Sequence, residues 1–354
     1  MIEPEQSRTE LSELGEFGLI DRLTADITIF HEQTVKGVGD DAAVIDAGDR
    51  FILVSTDLLV EGVHFDLTYT PLKHLGYKAA VVNFSDICAM NGMPKQITVG
   101  LAVSNRFPVE ALDEFYAGLK LACERYKVDI VGGDTTSSTT GMFISITVLG
   151  DVAKEDVVYR SGAKEHDLIC VSGDLGGAYA GLLLLEREKV VFRADPEMQP
   201  DLEGYDYPLE RQLKPEARTD IVKKLKIAGL KPTSMIDISD GLASEIMHLC
   251  KNSKSGAAIY EDKLPVDAAT VTLAEEFKLD PTTVALNGGE DYELLFTIPI
   301  TELKRIQQVE NVTIIGHITD IKDGLSMITR SGQSVPVLAQ GWDALSKRED
   351  SGPK

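Results

Sequence analysis

Leu11, Leu14, Phe17, Ile20 and Leu23 recur at helical spacing after a polar start and predict a short amphipathic helix. Two apolar runs, 42–45 and 51–55, follow as strands. Over 75–93 the apolar positions fall on every face, which predicts a helix buried almost all round, stopped at Gly92 and Pro94. A strand at 97–103, a helix at 109–126 opening after Pro108, and strands at 128–131 and 143–148 complete the first half. The second half opens with a strand at 167–171, a glycine-rich turn and a leucine-rich helix ending near residue 187. Pro196, Pro200, Pro208 and Pro215 punctuate a polar stretch, 193–220, that reads as a long loop or insertion. Strands at 234–238, 292–298 and 312–318 and a helix at 242–252 follow, then a charged, loose tail after Trp342. Polar residues at 150–154 separate two β-rich segments. They divide the chain into an extension (1–14), an N-terminal domain (15–151), a C-terminal domain (152–345) and a tail (346–354). Helices and strands interleave without a strict βαβ rhythm, so the expected class is α+β with mixed and antiparallel sheets.

Composition narrows the function. The chain has 354 residues, 43% hydrophobic and 26% charged, enough for a sizeable core and not the profile of a disordered chain. Against 35 Lys and Arg stand 57 Asp and Glu, a formal net charge of −22. Such a surface repels nucleic acid and anionic membrane, so neither is an expected partner. Phosphate substrates stay possible if cations stand between them and the carboxylates. The first residues carry acid in place of a basic leader, and the greasiest stretch, 181–185, is far too short for a membrane span. Cys88, Cys123, Cys170 and Cys250 form no C-x-x-C pair and read as buried free thiols of a cytoplasmic protein.

Three kinds of motif compete for the chemistry. Residues 37–42 match G-x-G-x-x-A, but a strand rather than a helix follows, which removes the helix N-terminus that a pyrophosphate would need. The glycine-rich turn at 173–177 precedes a helix but lacks the Lys-Ser/Thr pair of a phosphate loop, and reads first as a tight turn. The third kind is a recurrence of acids beside apolar runs and glycines. Ser55-Thr56-Asp57, Gly132-Gly133-Asp134, Asp237 with Ser239 and Asp240, Glu290-Asp291, Asp40-Asp41 and Asn83-Phe84-Ser85-Asp86 all show it. One acid after a strand is usually a turn former or cap. Six gathered at strand ends would repel one another unless cations bind them. Oxygen ligands without His or Cys select Mg²⁺, Mn²⁺ or Ca²⁺, and the absence of EF-hand spacing favours several Mg²⁺ with a substrate phosphate.

The same residues resemble the thiamine-monophosphate kinase family of the aminoimidazole ribonucleotide synthetase superfamily. The matching pieces are Gly15-Glu16-Phe17, Gly39-Asp40-Asp41-Ala42, Ser55-Thr56-Asp57 with Gly62-Val63-His64-Phe65, and Lys78-Ala79 with Asn83-Phe84-Ser85-Asp86. Gly132-Gly133-Asp134-Thr135-Thr136, Arg160-Ser161-Gly162-Ala163, Asp237-Ile238-Ser239-Asp240-Gly241-Leu242 and the run 287–294 complete the set, which spans about residues 15–342 in order. The resemblance implies phosphorylation of thiamine monophosphate by ATP to give thiamine diphosphate. It also implies a two-domain α+β subunit of the PurM-like fold, forming a homodimer through N-terminal strands. It places Asp41, Ser55, Thr56, Asp57, Asp86, Asp134, Asp237 and Asp240 in a magnesium shell, and Gly133, Arg160, Ser239 and Tyr116 against ATP. His64, Glu290 and Trp342 become contacts to thiamine monophosphate; the other five histidines receive no role. The chain departs from the family pattern in its N-terminal extension and at Ala344-Leu345, where His-Phe is expected.

The chemistry agrees. A phosphate monoester is already an anionic nucleophile near neutral pH, so no general base is required, and no Ser-His-Asp set is evident. Aligning two phosphates and neutralising their repulsion is then the whole task. A purine-ring synthetase of the same superfamily, and a metal phosphatase or metal-binding protein without kinase activity, are the alternatives. Selenide- and carbamoyl-handling relatives depend on a cysteine near a terminus, whereas the outermost cysteines here are Cys88 and Cys250.

Overall fold

The structure, a computed structural model, describes residues 10–339. Trp342, Ala344-Leu345, the 346–354 tail and residues 1–9 of the extension lie outside the described residues.

The first half comprises α1 (Leu11–Thr24), β1 (Thr34–Lys36), β2 (Ala43–Asp46), β3 (Phe51–Val60), α2 (Leu72–Ala89), β4 (Met93–Val103), α3 (Val109–Tyr126), β5 (Asp129–Ser137) and β6 (Phe143–Val152). Its six strands form one sheet in the order β1-β2-β3-β6-β4-β5, antiparallel except for the parallel β4/β5 pair. Along β6 alternate residues are buried, the two-residue period of a sheet with one face on the core. α2 covers that face with 14 of its 18 residues buried, as expected for a helix apolar all round. Glycines allow α2 and α3 to cross closely: a Cβ at Gly118 would stand 1.7 Å from the Lys73 carbonyl oxygen.

The second half comprises β7 (Leu168–Ser172), α4 (Gly177–Ala194), α5 (Asp206–Leu213), α6 (Thr219–Ile227), β8 (Ser234–Asp237), α7 (Leu242–Ser253), β9 (Gly256–Tyr260), α8 (Ala268–Glu276), α9 (Pro281–Asn287), β10 (Leu294–Ile298), β11 (Val312–Thr319), β12 (Leu325–Ile328) and β13 (Ser334–Pro336). These seven strands form a second sheet, β13-β12-β9-β11-β7-β10-β8, with β12/β9 as its parallel pair. One continuous core runs through both halves and includes Phe84 of α2, Met90 just after it, and Met235 and Phe296 of the second sheet. Two mixed sheets with helices make the protein α+β.

Several elements differ from the sequence expectation. The 193–220 stretch is not a long loop: it carries α5 and α6. Pro208 does not break α5, because it is the third residue of that helix, where a backbone N–H has no helical acceptor to lose. The leucine-rich helix continues to Ala194, and β1, β9, α8, α9, β12 and β13 lie outside the elements that the sequence pattern predicts. β3 runs on to Val60 and β5 to Ser137, so Asp57 and Asp134 sit inside strands rather than after them.

Candidate active site

Three separate parts of the chain bring their carboxylates together. Asp41 lies in the turn before β2, Asp86 in the last turn of α2 and Asp237 at the end of β8. Each offers an oxygen, and these oxygens all lie within 4.8 Å of one another. Neighbouring hydroxyls orient them: Ser55 Oγ donates to Asp86 Oδ2 and Ser85 Oγ to Asp237 Oδ2, both at 2.6 Å. Asp57 shares the inward face of β3 with Ser55, two residues away, and its backbone N–H donates to Asn83 Oδ1 at 3.1 Å. Arg160 closes the far side: its guanidinium donates to Asp41 Oδ1 at 2.7 Å, and its backbone N–H to Asp40 Oδ1 at 3.0 Å.

Packing this many acids together has an electrostatic cost. Burial, reinforced by Asp41, pushes Asp237 up to about 7, and burial pushes Asp57 up to about 6. Burial and then the charges of Asp57 and Asp237 push Asp86 well above the usual carboxylate range. Asp41 Oδ2 is buried without a hydrogen-bond partner. A set of oxygen donors with one orphaned acceptor and excess negative charge fits a hard divalent cation, which would restore the missing interaction. The residues present therefore fit magnesium.

A second group lies toward the loop after α9. Glu290, held at φ 68°, receives the Lys78 ammonium on Oε1 at 3.0 Å and the Gln212 amide on Oε2 at 2.7 Å. Lys78 is a buried cation in a largely apolar helix, and it also donates to the Gln212 carbonyl at 2.9 Å. His64 accepts a hydrogen bond on Nδ1 from the Val60 N–H at 3.0 Å, which leaves Nε2 as the protonated nitrogen. Burial holds its pKa below the ordinary value, against the opposing fields of Glu290 and Glu16.

Asp134 and Tyr116 stand apart. Across the sheet Asp57 pairs with Ile146, Ile146 with Val99, and Val99 with Gly133. Asp134, one residue on, therefore faces the opposite side of the sheet, the side of Thr56, and lies on the edge strand three strands from β3. Tyr116 packs on α3 edge-to-face with Phe115. Phe115 meets α2 at Gly76, ten residues and roughly 15 Å of helical rise from Asp86. Ser239 and Asp240 occupy the turn before α7, where the Asp240 N–H donates to the buried Glu245 at 2.9 Å. The glycine-rich turn at 173–177 holds an internal anion: Asp291 accepts from the N–H groups of Gly176 at 2.6 Å and Ala178 at 3.3 Å. Sequence reasoning gave no role to Lys78, Asn83, Ser85 or Gln212. A charge and two polar residues inside a buried helix were a usable signal for the first three; nothing local marks Gln212.

The two-sheet fold with its acidic centre defines the class. Residues 39–152 match the family model described as AIR synthase related protein, N-terminal domain. The fold is also that of the E. coli hydrogenase maturation protein HypE, with a TM-score of 0.67 at 18% identity over 93% of this chain and 99% of that one. Nearer relatives narrow the class. A thiamine-monophosphate kinase from Aquifex aeolicus is 37% identical over 86% of this chain and 96% of its own length, and one from Bacillus subtilis is 34% identical over 92% and 97%. The solved structure described as AaThiL complexed with AMPPCP and TMP superposes with a TM-score of 0.80 at 34% identity, covering 96% of this chain and 99% of that one. The chain belongs to the thiamine-monophosphate kinase family.

Proposed function

We propose that the protein transfers the terminal phosphoryl group of ATP to the phosphate of thiamine monophosphate, forming ADP and thiamine diphosphate. The observation that carries this reading is the convergence of Asp41, Asp86 and Asp237 in a chain whose relatives are thiamine-monophosphate kinases. These three, with Asp57 and Ser55 from β3 and Asp240 from the turn before α7, would hold magnesium. The ions supply charge neutralisation between the two phosphates. Ser55 and Ser85 fix which oxygens of Asp86 and Asp237 are presented, and Arg160 sets the orientation of Asp41. With Ser239, Arg160 is placed to meet nucleotide phosphate, and its planar fork suits such contacts. The acceptor phosphate is already an anion, so positioning and electrostatics replace a general base.

Thiamine carries a cationic thiazolium ring, and Glu290 and Glu16 supply negative charge beside His64. We assign this group to the thiamine moiety, with Trp342 as a further contact. We assign Thr56 and Asp134, on the opposite face of the sheet, to magnesium that accompanies ATP, and Gly133 to ATP itself, while Tyr116 stays a weaker nucleotide contact.

We also read the protein as a cytoplasmic homodimer joined through N-terminal strands. Supporting this, β5 is an edge strand exposed along its whole length, including Val131. The four cysteines are all buried free thiols, as in a reducing compartment. No helix among the described residues is long and apolar enough to cross a membrane.

Incubation with ATP, Mg²⁺ and thiamine monophosphate should yield ADP and thiamine diphosphate in equal amounts. Release of inorganic phosphate without ATP would instead indicate a phosphatase. Activity should keep rising with free Mg²⁺ after all ATP is complexed; saturation at one Mg²⁺ per ATP would reject the multi-metal reading. Asp134→Asn should lower kcat by about a hundredfold or more with the fold intact, and near-normal turnover would remove Asp134 from the metal set.

A further inference from the structure

The loop that carries His64 is bound to itself by hydrogen bonds. The Gly62 N–H donates to the Phe65 carbonyl at 2.8 Å and the Thr70 N–H to the Asp66 carbonyl at 2.9 Å. Asp66 Oδ1 accepts from the Thr68 N–H at 2.7 Å, and the Phe65 side chain is buried. What such a loop needs is an anchor that fixes it relative to Glu290, which belongs to the other half of the chain. That anchor lies on α4. Lys189 Nζ sits 3.0 Å from Asp66 Oδ2 and 2.9 Å from Glu186 Oε2, while Tyr69 Oη donates to Glu186 Oε1 at 2.8 Å. The same ammonium stands 5.6 Å from the centroid of the Tyr69 ring.

This is more than a solvated ion pair. The Lys189 side chain is 14% exposed and that of Asp66 24%, so water screens the attraction only in part. Against burial, which alone would raise it, hydrogen bonds from Thr68 and the pairing with Lys189 hold the Asp66 carboxyl down at about 2. Four side chains from two elements therefore act together, and they join the loop between β3 and α2 to a helix of the second half.

We infer that Lys189, with Asp66, Tyr69 and Glu186, is a latch that positions His64 over the thiamine side of the active site. Lys189 is a positioning residue: it reaches the substrate only through the loop it holds. The inference rests on the assignment of His64 to thiamine monophosphate. Because that part of the substrate is remote from the transferred phosphoryl group, a misplaced His64 weakens ground state and transition state alike and appears in KM.

The test is steady-state kinetics on the full-length enzyme. Lys189→Met should raise KM for thiamine monophosphate by about fivefold to tenfold, with kcat within about twofold and KM for ATP unchanged. Lys189→Arg, which can still bridge Asp66 and Glu186, should restore most of the loss. Tyr69→Phe should give a smaller rise of about twofold to threefold, and decides the question if Lys189→Met does not fold. His64→Ala, measured alongside, separates the two readings. If His64→Ala leaves KM for thiamine monophosphate unchanged, the assignment of His64 fails. If it raises KM while Lys189→Met and Tyr69→Phe, both folded, do not, the latch is overturned. A fall in kcat without a change in KM, or failure of Lys189→Arg to rescue, would also overturn it.

Discussion

Asp86→Asn is expected to lower kcat by about a thousandfold or more while raising the thermal midpoint of the metal-free protein. The two effects have opposite signs for one reason. In the absence of cations Asp86 stands against the charges of Asp57 and Asp237, and burial adds to the penalty. Asparagine removes that repulsion and keeps an acceptor for the Ser55 hydroxyl, which bonds Asp86 at 2.6 Å. The same change removes a ligand charge, so the stabilisation conferred by added Mg²⁺ should shrink. Calorimetry with and without Mg²⁺, together with turnover, reads both. Wild-type turnover, or a metal-free midpoint below that of the parent, would show that Asp86 does not belong to a cation site.

Arg211→Met should destabilise the fold by about 3–5 kcal/mol, because it strands buried carboxylates rather than removing a whole ion pair. Arg211 lies 2.8 Å from Glu293 Oε1 and 3.5 Å from Asp291 Oδ1, and it donates to the Asp174 carbonyl at 2.9 Å. Arg218 remains 3.2 Å from Glu293 Oε2, which places the expected loss toward the lower end. The deficit should also depend on pH. Burial already pushes Asp291 up to about 6, with Arg211 opposing, so loss of the arginine raises it further. A carboxyl whose native pKa exceeds its unfolded value of about 3.9 makes the folded state bind more protons, and stability then falls as pH rises. Denaturant midpoints should therefore separate mutant from parent more at pH 7 than at pH 4. A constant gap across that window would mean that Asp291 is held by the N–H groups of Gly176 and Ala178 alone.

The sequence by itself determined the elements whose pattern is strong. α2 was legible because its apolar residues fall on every face, and α3 because Pro108 and a helical period define it. The recurrence of acids, read against a net charge of −22, also pointed to a site suited to cations. Weak local signals hid the rest of the secondary structure. α8 and α9 are short, though Asp267 and Asp280 cap them by accepting from Ala269 and Thr282, signals that were present in the chain. The small residues of β9 carry no alternation to detect.

What no local pattern could decide is which acids meet. Side chains in a strand alternate faces, so a single extra residue reverses every position beyond it. The β4/β5 register shifts by one residue between Ile97 and Thr98, where β5 carries Val131 as the extra residue, and from there Gly133 faces inward and Asp134 outward. The convergence of Asp41, Asp86 and Asp237 likewise depends on how α2 packs between the two sheets. The Lys78–Glu290 pair and the Lys189 latch join residues that only that packing brings within reach. Chemistry was therefore readable from residue types, whereas its geometry belongs to contacts between residues far apart in the chain, which only the tertiary fold supplies.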